Sequence, residues 1–335
     1  MLNRVNTYFK GLWKQRAPYL TNHSFSFNSK GHCCLSYTDS EILLVYLQKE
    51  QDKIILQLCE SYPYKNETEF STILTQANVI HRLKNIPCTW MLQSNQYQSF
   101  SMEALPVEDS EFQSAIRWKI KPMISFSIED AVIDAFPIPQ QKANELNKMI
   151  TTVVARASYL ETVSNTIKKS GFNIHCIDIL DLGLRNMTTL LEEGERSIAL
   201  IYLDETNAEL IITHHTILYL TRMMELGIKE IRNSDMNSIH ACVEKFALDL
   251  LRSFDYYQAY WRLPPPVQLI WAPIKKIPSF FTEELSNRLN MPVYEFNLKN
   301  FFTIECEIEN SEQEKFLPLI GCALRGAKTT HATAN

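Results

Sequence analysis

Glycine is scarce in this chain: eight of 335 residues, about a third of the usual ~7%. No two of the eight make a G-x-G, and no Walker-type G-K-S/T occurs. Loops that cradle phosphate on backbone N–H groups need bare positions and positive φ, so the scarcity argues against that chemistry. The eight cysteines are scattered except for Cys33-Cys34, with no C-x-x-C and no pair beside histidines at zinc spacing. Free buried thiols and a reducing, cytoplasmic home are therefore expected. No apolar run approaches the ~18 residues of a membrane-spanning helix, and no signal-peptide pattern opens the chain. The net charge of −5 gives no electrostatic case for nucleic acid.

What is present is an ordinary globular composition, 45% hydrophobic and 21% charged, over a length that suits two cores. Residues 1–29 form a basic opening with no acid before Asp39. They read as a frayed terminus, with an amphipathic membrane- or partner-facing segment as the alternative. Strands are expected at 31–37, 41–47 and 53–60, helices at 68–84 and 111–121, and strands at 88–92 and 131–136. A strand–helix–strand follows over 151–155, 158–169 and 173–179, with Gly171 ending the helix. A helix at 182–192 comes next. The stretch 197–227 reads as three short strands, the first apolar on both faces and thus buried. A long helix over 235–261 is stopped by Pro264-Pro265-Pro266. Strands at 267–271 and 293–296 then alternate with helices at 278–290 and 312–324. Each half opens with antiparallel strands and then alternates helix and strand, which implies a duplicated α/β fold with a boundary near residue 180.

The turn Asp204-Glu205-Thr206-Asn207 stands where a phosphate loop would follow a buried strand, yet it holds no glycine. Asp204 has two readings: a Mg²⁺-holding carboxylate, or a residue that caps its own turn, which turn chemistry favours. The pair His214-His215 is read as a turn, because neighbours on a strand face opposite ways and would not chelate together. The aromatics Phe254, Tyr256, Tyr257, Tyr260 and Trp261 are expected as a lobe–lobe packing seam and not as a base-stacking surface.

Several segments in order resemble the type IV pilus assembly family PilM, and more closely its mannose-sensitive haemagglutinin (MSHA) pilus branch, MshI. They are Glu111 to Trp118 with Pro122 and Phe126, then Ile128 to Asp134, Val153-Val154-Ala155-Arg156, and Arg252-Ser253-Phe254-Asp255-Tyr256-Tyr257. Leu289 to Val293 and Ile320 to Gly326 complete the set. The resemblance spans most of residues 30–326. It implies a two-lobed actin-like fold, a first lobe over 30–180 with a small insert near 100–150, and a second lobe over 181–335. It also implies a peripheral place at the cytoplasmic face of the inner membrane, among pilus platform proteins. The partner it implies is the cytoplasmic N-terminal peptide of a PilN-like (MshJ-like) membrane protein.

Departures from the family pattern bear on nucleotide binding. The expected first phosphate loop is replaced around Ser36 and Asp39, the second carries Asp204-Glu205, and the adenosine turn carries Trp271 and Pro273. Trp271 is expected to fill nucleotide volume and Glu205 to repel phosphate, so neither ATP nor Mg²⁺ is expected and no catalysis. Arg117, Trp118 and Pro122 are the candidate partner groove, with a solvated helix face as the alternative. An ATP-binding actin-fold enzyme is the competing function. So is a type II secretion component of the GspL kind, which continues into a membrane helix.

Overall fold

In the computed structural model of the chain the described residues are 25–27, 31–51, 53–138, 149–191, 195–233, 236–272, 279–308, 313–325 and 327–329. The chain enters through β1 (Phe25–Phe27) and then makes an antiparallel meander of β2 (Gly31–Tyr37), β3 (Glu41–Glu50) and β4 (Lys53–Pro63). All seven residues of β2 are buried, as an apolar run flanked by turn residues demands of a central strand. Helix α1 (Glu67–Ile80) starts at Asn66, whose side chain accepts the Glu69 amide at 3.0 Å. Strand β5 (Pro87–Leu92) then adds parallel to β2.

An insert follows: β6 (Gln98–Glu103), α2 (Asp109–Ile120), β7 (Ala131–Ile138) and β8 (Met149–Arg156). Its three strands form their own antiparallel sheet in the order β6-β8-β7 around a small core that includes Ile116, Ile120, Ile133 and Val154. β8 runs directly into α3 (Ala157–Lys169), which ends at Gly171, held at φ +93°. β9 (Asn173–Ile179) returns to the first sheet parallel to β5, and α4 (Leu180–Thr188) leaves it.

The second half repeats the plan. β10 (Ile198–Leu203), β11 (Ala208–His214) and β12 (Ile217–Met224) form the meander. After α5 (Ile228–Asn233) and the long α6 (Met236–Trp261) come β13 (Leu269–Trp271), α7 (Ser279–Leu289) and β14 (Val293–Glu295). β13 adds parallel to β10, and β14 to β13. The strand orders β4-β3-β2-β5-β9 and β12-β11-β10-β13-β14 therefore match position for position. Alternation along β10 divides its side chains: Ile198, Leu200 and Tyr202 join the large central core, and Ala199, Ile201 and Leu203 the core under α6 and α7.

The chain then returns to the first sheet. β15 (Thr303–Ile304) extends it beside β4, and α8 (Gln313–Leu324) packs across β2, β3 and β5. β16 (Ala327–Thr329) pairs with β1. Thus the closing helix, which lies beyond residue 181, rests on the sheet begun at residue 31. Arg325 just past its end reaches the buried Asp178 carboxylate of β9 at 2.8 Å.

α4 and α8 are pressed together between the two sheets. A Cβ at Gly321 would stand 1.9 Å from the Gly183 carbonyl oxygen, and one at Gly183 would stand 2.3 Å from the Pro318 carbonyl oxygen. The Asn186 side-chain amide donates to the Gly321 carbonyl at 2.8 Å. Only bare backbone allows this crossing. Gly→Ala inside a helix normally stabilises by roughly 0.4–1 kcal/mol. Gly321→Ala is expected to reverse that sign and cost about 3 kcal/mol or more, because backbone itself must move. A urea unfolding curve with a lower midpoint checks it.

Candidate functional site

The turns that would hold phosphate come first. At the β2–β3 hairpin the Thr38 hydroxyl accepts the backbone N–H groups of Ser40 (3.3 Å) and Glu41 (3.2 Å), while the Thr38 N–H donates to the Glu41 carbonyl. At the β10–β11 turn one Asp204 carboxylate oxygen accepts the N–H groups of Thr206 and Asn207, both at 2.7 Å. The Asp204 N–H closes onto the Asn207 carbonyl at 2.9 Å. Each turn therefore spends its amides on its own side chains, the reading in which Asp204 caps its turn. Gly227 lies so close that a Cβ would stand 2.4 Å from the Glu205 carbonyl oxygen. Beyond it, the Ile228 and Lys229 amides donate to the carbonyls of Asp204 and Glu205.

Of the positions singled out in the sequence, Ser36 is fully buried and donates to the Met91 carbonyl at 2.8 Å, while Gln93 donates to its hydroxyl. Asp39 and Glu205 are exposed at their turns. Trp271 does not occupy a cleft. It is buried on the helix side of β13, 6.4 Å from the Phe246 ring and 5.8 Å from that of Phe281, where it fills core volume. The parity of a three-residue strand decides this: Leu269 and Trp271 face the helices, and Ile270 faces the central core. Pro273 lies outside the described residues. Arg117 is committed inside the insert, donating to the carbonyls of Ala131 (3.1 Å) and Ile128. Trp118, the next residue round α2, is 77% exposed, with the Lys121 ammonium 5.7 Å from its ring centre, and Pro122 is exposed beside it. The three positions proposed as one groove thus split between a structural clamp and a surface aromatic.

Electrostatics between the lobes are acidic. Burial raises the Tyr202 phenol, and the carboxylates of Asp204, Glu314, Glu209 and Glu41 add to that shift. The Lys315 ammonium there is held by Glu41 at 2.9 Å. Acidic side chains from both lobes thus converge on one region.

A cavity of about 460 Å³ opens beside this region. Sequence reading did not find it, since its walls come from distant segments. One wall is β6 of the insert and the other is β12, and each is an edge strand of its sheet. Phe100, Leu220, Met223, Tyr256 and Trp261 are among the lining. Its floor carries Tyr97, Asp181 and Glu209. The Tyr97 hydroxyl donates to Asp181 at 2.5 Å. Burial, then the neighbouring Asp181 charge and hydrogen bond, pushes the Glu209 carboxyl up to about 10. At neutral pH the Glu209 carboxyl is therefore protonated. Two buried polar atoms at the cavity, Gln98 Oε1 and Trp261 Nε1, have no protein partner.

The solved structure of a PilM–PilN type IV pilus biogenesis complex superposes with a TM-score of 0.67 at 18% identity, covering 89% of this chain and 99% of that one. The fold is actin-like. Two looser matches are a Bacteroides thetaiotaomicron protein with an actin-like ATPase fold and the cytoplasmic domain of EpsL. The first has a TM-score of 0.48 at 8% identity, covering 82% of this chain and 92% of that one. EpsL, an inner-membrane component of the Vibrio cholerae type II secretion system, has a TM-score of 0.46 at 11%, covering 87% and 95%. No protein-family model and no curated protein sequence matches the chain. The two-lobed actin-like plan with a small insert is the one expected.

A group whose folded pKa lies above its unfolded value binds a proton on folding, so stability falls as pH rises between the two values. For Glu209 that window runs from the ordinary carboxylate range, roughly 4.3, to about 10. Wild-type Tm is expected to fall between pH 6 and pH 9, and Glu209→Gln, which keeps a donor toward Asp181, is expected to flatten that part of the slope. Differential scanning calorimetry across the window measures both.

Proposed function

We propose that this chain is a non-catalytic docking component of a type IV pilus assembly platform at the cytoplasmic face of the inner membrane. In this reading it holds the extended cytoplasmic N-terminal segment of a PilN-like membrane protein, MshJ-like if the chain serves an MSHA-type pilus as MshI does. The observation that carries the reading is the cavity between β6 and β12. Two edge strands facing one another offer backbone donors and acceptors to an inserted extended segment, and apolar walls offer side-chain pockets. Its volume falls in the range of ligand sites. The structural likeness to PilM, solved with PilN, supports the same class of partner.

The turn geometry supports the non-catalytic part. A phosphate needs N–H groups aimed outward, whereas Thr38 and Asp204 hold those of the two hairpin turns. A Mg²⁺ ion would have to draw Asp204 away from two amides at 2.7 Å. No helix among the described residues is long and apolar enough to cross a membrane, so attachment through a membrane-spanning partner fits the reading.

The test is fluorescence polarisation with a labelled peptide from the cytoplasmic N-terminus of the PilN-like protein of the same genome. Met223 is 62% exposed, so Met223→Glu should fold normally and weaken binding at least tenfold, about 1.4 kcal/mol. Isothermal titration with Mg-ATP should give no heat of binding at micromolar concentrations. A folded protein that ignores the peptide, or one that binds Mg-ATP with micromolar affinity, overturns the proposal.

A further inference from the structure

At the far end of β11 the chain turns through His215 and Thr216, whose φ angles are +49° and +63°. His214 pairs with Ile217 as the last rung of the hairpin, so the two-residue turn begins at His215, one position later than the sequence reading placed it. The argument that strand neighbours face opposite ways therefore does not apply to this pair. The left-handed turn brings the His215 ring to 4.2 Å from the His214 ring, centre to centre. Glu195, on the segment between α4 and β10, meets His215 Nε2 at 2.9 Å. One donor atom from each of Glu195, His214 and His215 lies within 4.8 Å of the other two.

We propose that Glu195, His214 and His215 form a site for a divalent transition-metal ion, with zinc the best fit and the fourth position open to water. Two imidazoles and a carboxylate are a donor set that zinc favours, and three protein ligands leave one position free. In a tetrahedral zinc site the donors stand about 3.3 Å apart, given Zn–N and Zn–O distances near 2.0–2.1 Å. The exposed Glu195 and the turn-borne His215 can draw in by the difference, while His214 is the fixed member. Its Nδ1 lies 3.3 Å from the Ser197 hydroxyl, which donates to the Pro264 carbonyl at 2.8 Å and lies 2.9 Å from the Tyr257 hydroxyl. Ser197 and Tyr257 are fully buried. A ligand histidine whose second nitrogen is held by a buried, anchored group is the support that metal sites use to fix ring orientation. A bound ion would staple the β11–β12 turn to the segment that carries the chain from the central helices into the second sheet. The Arg185 guanidinium already ties α4 to the same turn through the Thr216 carbonyl, at 3.3 Å.

The competing account is a His–Glu ion pair that binds nothing, as the half-buried pair His240–Glu284 would be. Titration of the chelator-treated, full-length protein with Zn²⁺ in a calorimeter separates the two. The proposal expects one ion per chain with a Kd of about 1 μM or tighter. His215→Gln, at a partly exposed turn where folding is not at stake, should weaken binding at least tenfold. His240→Gln and the double variant Cys242→Ser, Cys306→Ser should leave it unchanged. Co²⁺ in place of Zn²⁺ should give visible bands without thiolate charge transfer. No stoichiometric uptake by folded protein overturns the proposal. So does uptake that survives His215→Gln or is lost in the cysteine variant.

Discussion

Two helices cross where there is room only for backbone, and the arrangement of the lobes follows from that contact. Gly183 on α4 and Gly321 on α8 approach so closely that neither tolerates a side chain. α8 lies on the first sheet and α4 against both, so this crossing fixes how one half of the molecule sits on the other. The Asn186 hydrogen bond onto the Gly321 carbonyl, and the Arg325–Asp178 pair at the end of α8, hold the crossing in register. In a chain with so few glycines, two are concentrated at the joint of the lobes.

The cavity depends on that joint. β6 belongs to the insert on the first lobe and β12 is the outer strand of the second, so their separation is set by the lobe crossing. The same geometry brings acidic side chains from both lobes near Tyr202 and places the protonated Glu209 carboxyl on the cavity floor. Acidic side chains from both lobes gather between them, and the two hairpin turns satisfy their own amides.

Much of this was legible in the sequence, and the reasons it was legible are local. The apolar run from Ile198 to Leu203 announced a strand buried on both faces. Pro264 to Pro266 ended the long helix, Gly171 ended α3, and the Asp204 turn capped itself as its residue types require. The duplicated order of strands and helices survived translation into two sheets of matching topology. Parity and distance were not legible. Trp271 faces the helices because β13 is three residues long and begins at Leu269, which periodicity alone does not reveal. Arg117 and Trp118 are neighbours in sequence, but about 100° of helix rotation leaves one bonded inside the insert and the other exposed. The His214-His215 geometry turned on a one-residue shift of a hairpin turn. The cavity joins residues 98–101 to residues 218–223, a pairing that only tertiary structure supplies.

Hydrogen exchange read by mass spectrometry tests the docking clamp most directly, with the PilN-like peptide and Mg-ATP each added to separate samples. The account predicts slowed exchange at amides of residues 98–103 and 217–224 with the peptide, and no change at residues 38–41 and 204–207 with Mg-ATP. Protection of the two hairpin turns by nucleotide, with the edge strands unaffected by peptide, would contradict it.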